Sequence, residues 1–195
     1  MLLNQSYRII LASKSPRRSQ LLTEAGLPFV IKTKDVIEDY PLGMPVEEVA
    51  VFLSHKKAMA AKSFLENEKD VILAADSVVV LDNEIFEKPK DAADATQMLG
   101  RLSGREHKVI TGVCLMTNER TINFGEVSRV KFDDLSPEEI KFYIDKYKPY
   151  DKAGSYAIQE WIGLCKIEYI HGTYANVMGL PVHRVWKALE DIFNL

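Results

Sequence analysis

Cysteine is scarce in this sequence: Cys114 and Cys165 are the only two. They lie in separate apolar stretches, without the paired spacing of a zinc site and too few for a disulfide framework. Two buried free thiols in a reducing cytoplasm are expected. An apolar run long enough to span a membrane is missing as well. Residues 1–8 lack the basic start, apolar centre and small-residue cleavage site of a secretory leader, so a cytoplasmic protein without a membrane partner is expected. There is no excess of positive charge: 25 Lys and Arg stand against 28 Asp and Glu, a formal net charge of −3. Duplex nucleic acid is therefore not an expected partner, because neutralising its phosphates takes a concentrated basic surface. A small basic pocket remains allowed.

The common phosphate and metal signatures are also absent. The chain has no Gly-x-x-x-x-Gly-Lys-Ser/Thr loop, no Gly-x-Gly-x-x-Gly turn after the first strand and no His-Glu-x-x-His pair, which removes kinase, dehydrogenase and metalloprotease chemistry. Its four histidines, His55, His107, His171 and His183, are too widely spaced for a metal cluster and read as structural. No repeat, low-complexity tract or biased linker divides the chain. With 47% hydrophobic and 27% charged residues over 195 positions, one folding unit is expected, and a single domain of two lobes fits equally well.

What is present is an alternation of strand and helix signals, the mark of the α/β class. Arg8–Ala12 reads as a strand, and Ser15-Pro16 as an N-cap with proline at the first helical position. That helix directs Leu21 and Leu22 inward and stops at Gly26. Phe29–Ile31 suggests a second strand. From Pro45 a helical pattern runs through Ala50, Phe52, Leu53, Lys57 and Ala61, with Glu47 and Glu48 where the helix dipole favours them. Val71–Ala75 reads as a buried strand delivering Asp76 at its end. Val78–Leu81 either continues it or starts another, and Asp82-Asn83 turns into Glu84–Phe86. A helix over 91–102, strands over 109–116 and 121–132, a helix after the capping box Ser136-Pro137-Glu138-Glu139 and a last helix from Pro181 to Phe193 complete the expectation.

Several residues have chemical potential, each with a plainer alternative. Helix N-terminal amides, the hydroxyls of Ser13 and Ser15 and the guanidinium groups of Arg17 and Arg18 suit a phosphate, or belong to an ordinary capped helix with solvated arginines. Asp76 could hold a divalent metal or accept a proton from water, or could cap a turn. Lys57, on the apolar side of its helix, needs an anion there unless it snorkels outward. Lys88, held by its bond to Pro89, is weak evidence alone. The loop Asp151–Gln159 ends in an amide that offers both donor and acceptor, as a uracil or thymine edge demands, or is a plain surface loop.

In order, Leu11-Ala12-Ser13-Lys14-Ser15-Pro16-Arg17-Arg18, Ala75-Asp76-Ser77-Val78-Val79, Lys88-Pro89, Leu102–Val113, Asp151-Lys152-Ala153-Gly154 and Asn176–Pro181 resemble the signatures of the Maf family of nucleotide pyrophosphatases, nearly end to end. The resemblance implies one α/β domain over residues 1–195. It further implies two lobes around a deep cleft and a mixed, elongated sheet with flanking helices, similar to the inosine triphosphate pyrophosphatase (Ham1-like) architecture, and commonly a homodimer. It makes Asp76 the proton acceptor, places Ser13, Arg17, Arg18, Lys57 and Lys88 around the phosphates, and assigns Glu38 and Asp76 to a divalent cation, Mg²⁺ or Mn²⁺. Arg17, Ser77 and Gln159 fall at the positions of substrate choice. Glutamine there marks the branch that cuts dTTP and UTP, and by extension base-modified pyrimidine triphosphates, to monophosphate and pyrophosphate. The branch acting on 7-methyl-GTP carries glutamate. A modified purine triphosphate as substrate and a non-catalytic nucleotide-binding regulator of septum formation are the alternatives. Two residues depart from the family pattern: Ser77 stands for a usual threonine and Glu160 for a usual glycine.

Overall fold

The computed structural model describes residues 7–193. Residues 1–6, part of the segment read as lacking a secretory leader, lie outside the described residues, as do 194–195. The described chain forms β1 (Arg8–Leu11), α1 (Pro16–Glu24), β2 (Phe29–Ile31), α2 (Val46–Ala61), β3 (Asp70–Leu81), β4 (Glu84–Phe86), α3 (Ala92–Leu102) and β5 (Glu106–Met116). It continues through β6 (Thr121–Phe132), α4 (Pro137–Tyr147), α5 (Trp161–Cys165), β7 (Ile167–His171), α6 (Tyr174–Met178) and α7 (Val182–Phe193). Strand order is β2-β1-β3-β5-β6-β7, with β4 paired to β3. Parallel pairing of β1 with β2 and β3, and antiparallel pairing of β3 with β4 and β6 with β7, make the sheet mixed, as expected.

The chain divides into two compact units. The first comprises residues up to Asp76, Thr111–Glu126 and the segment from Gly179 onward. In it β1 is hydrogen-bonded on both sides, in register Ile9↔Phe29 and Ile9↔Val71. A parallel strand flanked on both sides reads as a continuous apolar run, and Ile9, Ile10, Leu11, Val71, Ile72 and Leu73 are all fully buried. Ala58 and Ala61 of α2 join Ile10, Ile72, Ala74 and Cys114 in one core. Small residues let the helix come close, and at Gly112 closeness becomes contact: a Cβ there would lie 2.2 Å from the Ala50 carbonyl carbon.

The second unit comprises Ser77–Ile110 and Val127–Met178. Its core gathers Val79, Leu81 and Phe86 from the β3–β4 hairpin, Leu99 and Leu102 from α3, Phe132 from β6, and Ile140, Tyr143 and Ile144 from α4. The hairpin turns on Asp82 (φ 50°) and Asn83 (φ 64°), both left-handed as a two-residue primed turn requires. The capping box of α4 forms in full: Ser136 accepts from the Glu139 N–H, and Glu139 from the Ser136 N–H.

The chain passes between units at 76/77, 110/111, 126/127 and 178/179, and the first three crossings lie inside β3, β5 and β6. A strand interior carries no linker composition, so no boundary could be read there.

Several expectations need correction. Asp76 is not at a strand end, because β3 runs unbroken from Asp70 to Leu81. Cys114 is buried but Cys165 is exposed at the end of α5. Phe52, expected on the inner face of α2, is among the exposed large apolar residues. Ser15 is the N-cap of α1 by position, yet its side chain makes no capping hydrogen bond. Of the histidines, His171 and His183 are exposed. No helix among the described residues is long and apolar enough to cross a membrane.

Candidate active site

In the first unit, β1 leads through Ala12–Ser15 into α1, and the turn is organised by Ser13 rather than by Ser15. Ser13 is buried, and its Oγ accepts from the Ser15 N–H at 3.2 Å and from Arg18 Nη1 at 3.1 Å. Arg18 Nε donates to the Gly179 carbonyl at 2.9 Å. The guanidinium is thereby folded back over its own loop instead of standing in solvent. Burial lowers its pKa, with the Arg17 charge adding to that effect and the Asp76 and Glu38 carboxylates opposing it. Arg17, Arg18, Glu38 and Asp76 thus share one electrostatic environment.

Lys57 supplies the other half. It lies on the sheet-facing side of α2, where an ammonium needs an anion. It finds two: Glu38 Oε1 at 2.7 Å and, in a shorter contact, Asp76 Oδ1. The Lys57 and Asp76 side chains are only 17% and 11% exposed, against 45% for Glu38. The Lys57–Asp76 pair, between α2 and β3, is therefore little screened, while Glu38 sits at the solvent side.

Ser77, Lys88 and Gln159 belong to the second unit and occupy three separate places there: in β3, after β4 and in the turn before α5. The loop Asp151–Glu160 is tied down at many points. Gly154 donates from its N–H to the Glu87 carbonyl at 3.2 Å, beside Lys88. Its φ is 68°, and a Cβ would meet Val79 Cγ1 and Cγ2 at 2.9 Å, so conformation and space both demand glycine. Tyr156 Oη lies 2.7 Å from His107 Nε2. Burial pushes that imidazole down to about 3, so it is neutral at ordinary pH. Lys152, buried, pairs with Asp151 at 2.7 Å and Glu160 at 3.4 Å. Gln159 sits inside the turn closed by the Glu160 N–H to the Ala157 carbonyl at 3.1 Å. Its Oε1 is buried and has no hydrogen-bond partner among the described residues.

Sequence reasoning missed Lys152, Glu160 and Tyr143 as partners. The available signal was Glu160 itself, a charged residue at a position where the family pattern has glycine.

Chemically, the first unit can set an anion against Arg17, Arg18 and Lys57 and a cation against Glu38 and Asp76. The second unit, taken by itself, holds an unsatisfied amide oxygen on Gln159. The family model described as "Maf-like protein" matches residues 8–192, and the chain belongs to this family. A dTTP/UTP pyrophosphatase of Porphyromonas gingivalis is 45% identical over 96% of this chain and 95% of its own. Those of Phocaeicola vulgatus and Cytophaga hutchinsonii are each 46% identical, covering 96% and 95% of this chain and 97% and 84% of theirs. Among solved structures, the Ham1 protein of Staphylococcus aureus aligns with a TM-score of 0.41 and 16% identity, over 64% of this chain and 71% of that one.

Proposed function

We propose that this protein hydrolyses dTTP and UTP, and pyrimidine triphosphates modified without loss of the same base edge, to the monophosphate and pyrophosphate. Full-length relatives carrying that name support the reaction. The structural observation that carries the choice of base is the open Gln159 oxygen. A buried acceptor without a partner costs about 1–3 kcal/mol, and the N3–H of uracil or thymine would satisfy it while the amide nitrogen donates to the neighbouring carbonyl. 7-Methylguanine presents N1–H and an exocyclic amine, two donors side by side, which a carboxylate matches and an amide does not.

In this mechanism Ser13, Arg17, Arg18, Lys57 and Lys88 grip the triphosphate and stabilise charge on the departing pyrophosphate. Asp76 accepts the proton of the water that attacks the α-phosphorus. Glu38 and Asp76, hard oxygen donors already brought to one cationic centre, fit Mg²⁺ or Mn²⁺. Among the described residues no group of three or more His, Cys, Asp and Glu could hold a metal, so the remaining ligands would come from phosphate and water. Such a cation supplies charge neutralisation on the phosphates. The proposal includes one functional domain over residues 1–195 and a cytoplasmic homodimer, the latter to be checked by sedimentation.

The test is incubation with a panel of pyrimidine, purine and base-modified triphosphates and each metal, followed by product separation. Monophosphate and pyrophosphate from dTTP and UTP are expected. Diphosphate with orthophosphate would exclude attack at the α-phosphorus, and no turnover of any member would favour a binding regulator.

A further inference from the structure

The turn that carries Gln159 is held from outside by one hydroxyl. Tyr143 of α4 is fully buried, its ring stacked on Tyr147 with centroids 5.0 Å apart. Its Oη accepts from the Ala157 N–H at 3.1 Å and donates to Glu160 Oε2 in a short hydrogen bond. These two bonds reach the first and last residues of the turn 157–160, with Gln159 between them. Burial, with the Glu160 hydrogen bond and charge adding to it, pushes the Tyr143 phenol above its usual range, so the proton stays on Oη. Lys152 braces the other carboxylate oxygen of Glu160 at 3.4 Å. On the far side the backbone of α5 approaches the turn so closely that only glycine fits: a Cβ on Gly163 would stand 1.8 Å from the Ile158 carbonyl oxygen, the backbone immediately before Gln159.

We infer that Tyr143 and Glu160 are positioning residues for base selection, a clamp on both ends of the turn that fixes the direction in which Gln159 presents its amide. This rests on the reading of Gln159 as the group that meets the base. An amide that reads a donor and an acceptor together must be held in one orientation. Once one end of the turn is released, the side chain still exists but its two polar atoms no longer arrive together. Neither clamp residue touches phosphate in this scheme, so loosening it affects binding of the base and spares the chemical step.

The test is steady-state kinetics of the full chain with UTP and GTP. Tyr143→Phe keeps the buried ring and removes only the hydroxyl. The expected result is a fall of about ten- to a hundredfold in the UTP-to-GTP ratio of kcat/KM, carried mainly by a higher KM for UTP. In a Gln159→Ala background the same substitution should leave the ratio unchanged, because there is no amide left to orient. Glu160→Ala should repeat the loss, and Glu160→Gln, which retains an acceptor for Oη, should hold the ratio within about threefold of wild type. These two variants also cover the case in which Tyr143→Phe fails to fold. The clamp is overturned if Tyr143→Phe and Glu160→Ala leave the ratio intact, lower kcat equally for both nucleotides, or act as strongly without Gln159. A wild type selective through Gln159 yet indifferent to both clamp variants removes only this inference. A wild type that cleaves neither UTP nor dTTP removes the proposed function and the clamp with it.

Discussion

Lys57 and Asp76, 19 positions apart on α2 and β3, meet in the shortest contact Lys57 makes, and both are largely withdrawn from solvent. A buried ion pair of this kind is weak evidence for stability, because desolvation offsets much of the attraction. It is better understood as a carboxylate kept in a fixed place. Asp76→Asn, which leaves Lys57 its pairing with Glu38, is expected to keep the protein folded while lowering kcat by about 10²–10⁴-fold, the usual contribution of a positioned proton acceptor. Near wild-type turnover with dTTP would take Asp76 out of the central role.

Gln159→Glu is expected to reverse the preference for the base. The carboxylate cannot donate to a pyrimidine carbonyl, so kcat/KM for UTP should fall by about a hundredfold or more while that for 7-methyl-GTP rises. Competition between the two nucleotides, followed by chromatography of their monophosphates, gives the ratio directly.

Two glycines should respond to alanine with opposite signs. At Gly112 a Cβ would collide with the Ala50 backbone across β5 and α2, and Gly112→Ala is expected to cost about 1–3 kcal/mol or more. Gly100 lies in α3 with no heavy atom of the described residues within 4 Å of its would-be Cβ. There Gly100→Ala should add roughly 0.5–1 kcal/mol, by restricting the unfolded chain. Urea melts of the two variants beside wild type decide both.

Acid should expose the contribution of Asp70. Its side chain is 2% exposed, its Oδ2 meets Arg8 Nη2 at 2.7 Å, and it accepts from the Glu66 and Asn67 N–H groups. The Arg8 hydrogen bond, opposed in part by burial and assisted by the two backbone bonds, holds the carboxyl down at about 2. Since the folded pKa lies below the unfolded value of about 3.9, the stabilisation is complete above that value and is lost as pH falls through about 2. Asp70→Asn should therefore cost about 2 kcal/mol at pH 7, with the difference from wild type shrinking toward pH 2. His107, neutral in the fold, also makes acid unfavourable, but it is common to both proteins and cancels in the comparison.

Much of the framework was legible because its signals are local. Proline at the start of α1 and α4, the capping box of Ser136 and Glu139, and the Asp82-Asn83 turn each act within a few residues. Lys57 was legible as a requirement for an anion, but sequence does not say which anion, since Glu38 and Asp76 reach it only through tertiary packing. The continuity of β3 through Asp76 was one of two readings left open, because a carboxylate after an apolar run looks like the end of a strand. In the fold the Lys57 ammonium of α2 takes the place of water. The elements α5, β7 and α6 were missed for a different reason: each has five residues, too few to show a period. Glu160 was visible as a departure from the family pattern, but its partner Tyr143 sits 17 positions away on another helix.

The unequal fates of the two cysteines have a practical side. The Cys114 thiol is buried and pushed up to about 12 by that burial, so it offers almost no thiolate to a reagent. Cys165 stands exposed six residues beyond Gln159 along the chain. Unmodified, the protein thus carries a single addressable attachment point for a fluorophore near the turn that is proposed to greet the base, and nucleotide binding could be watched optically without engineering a site.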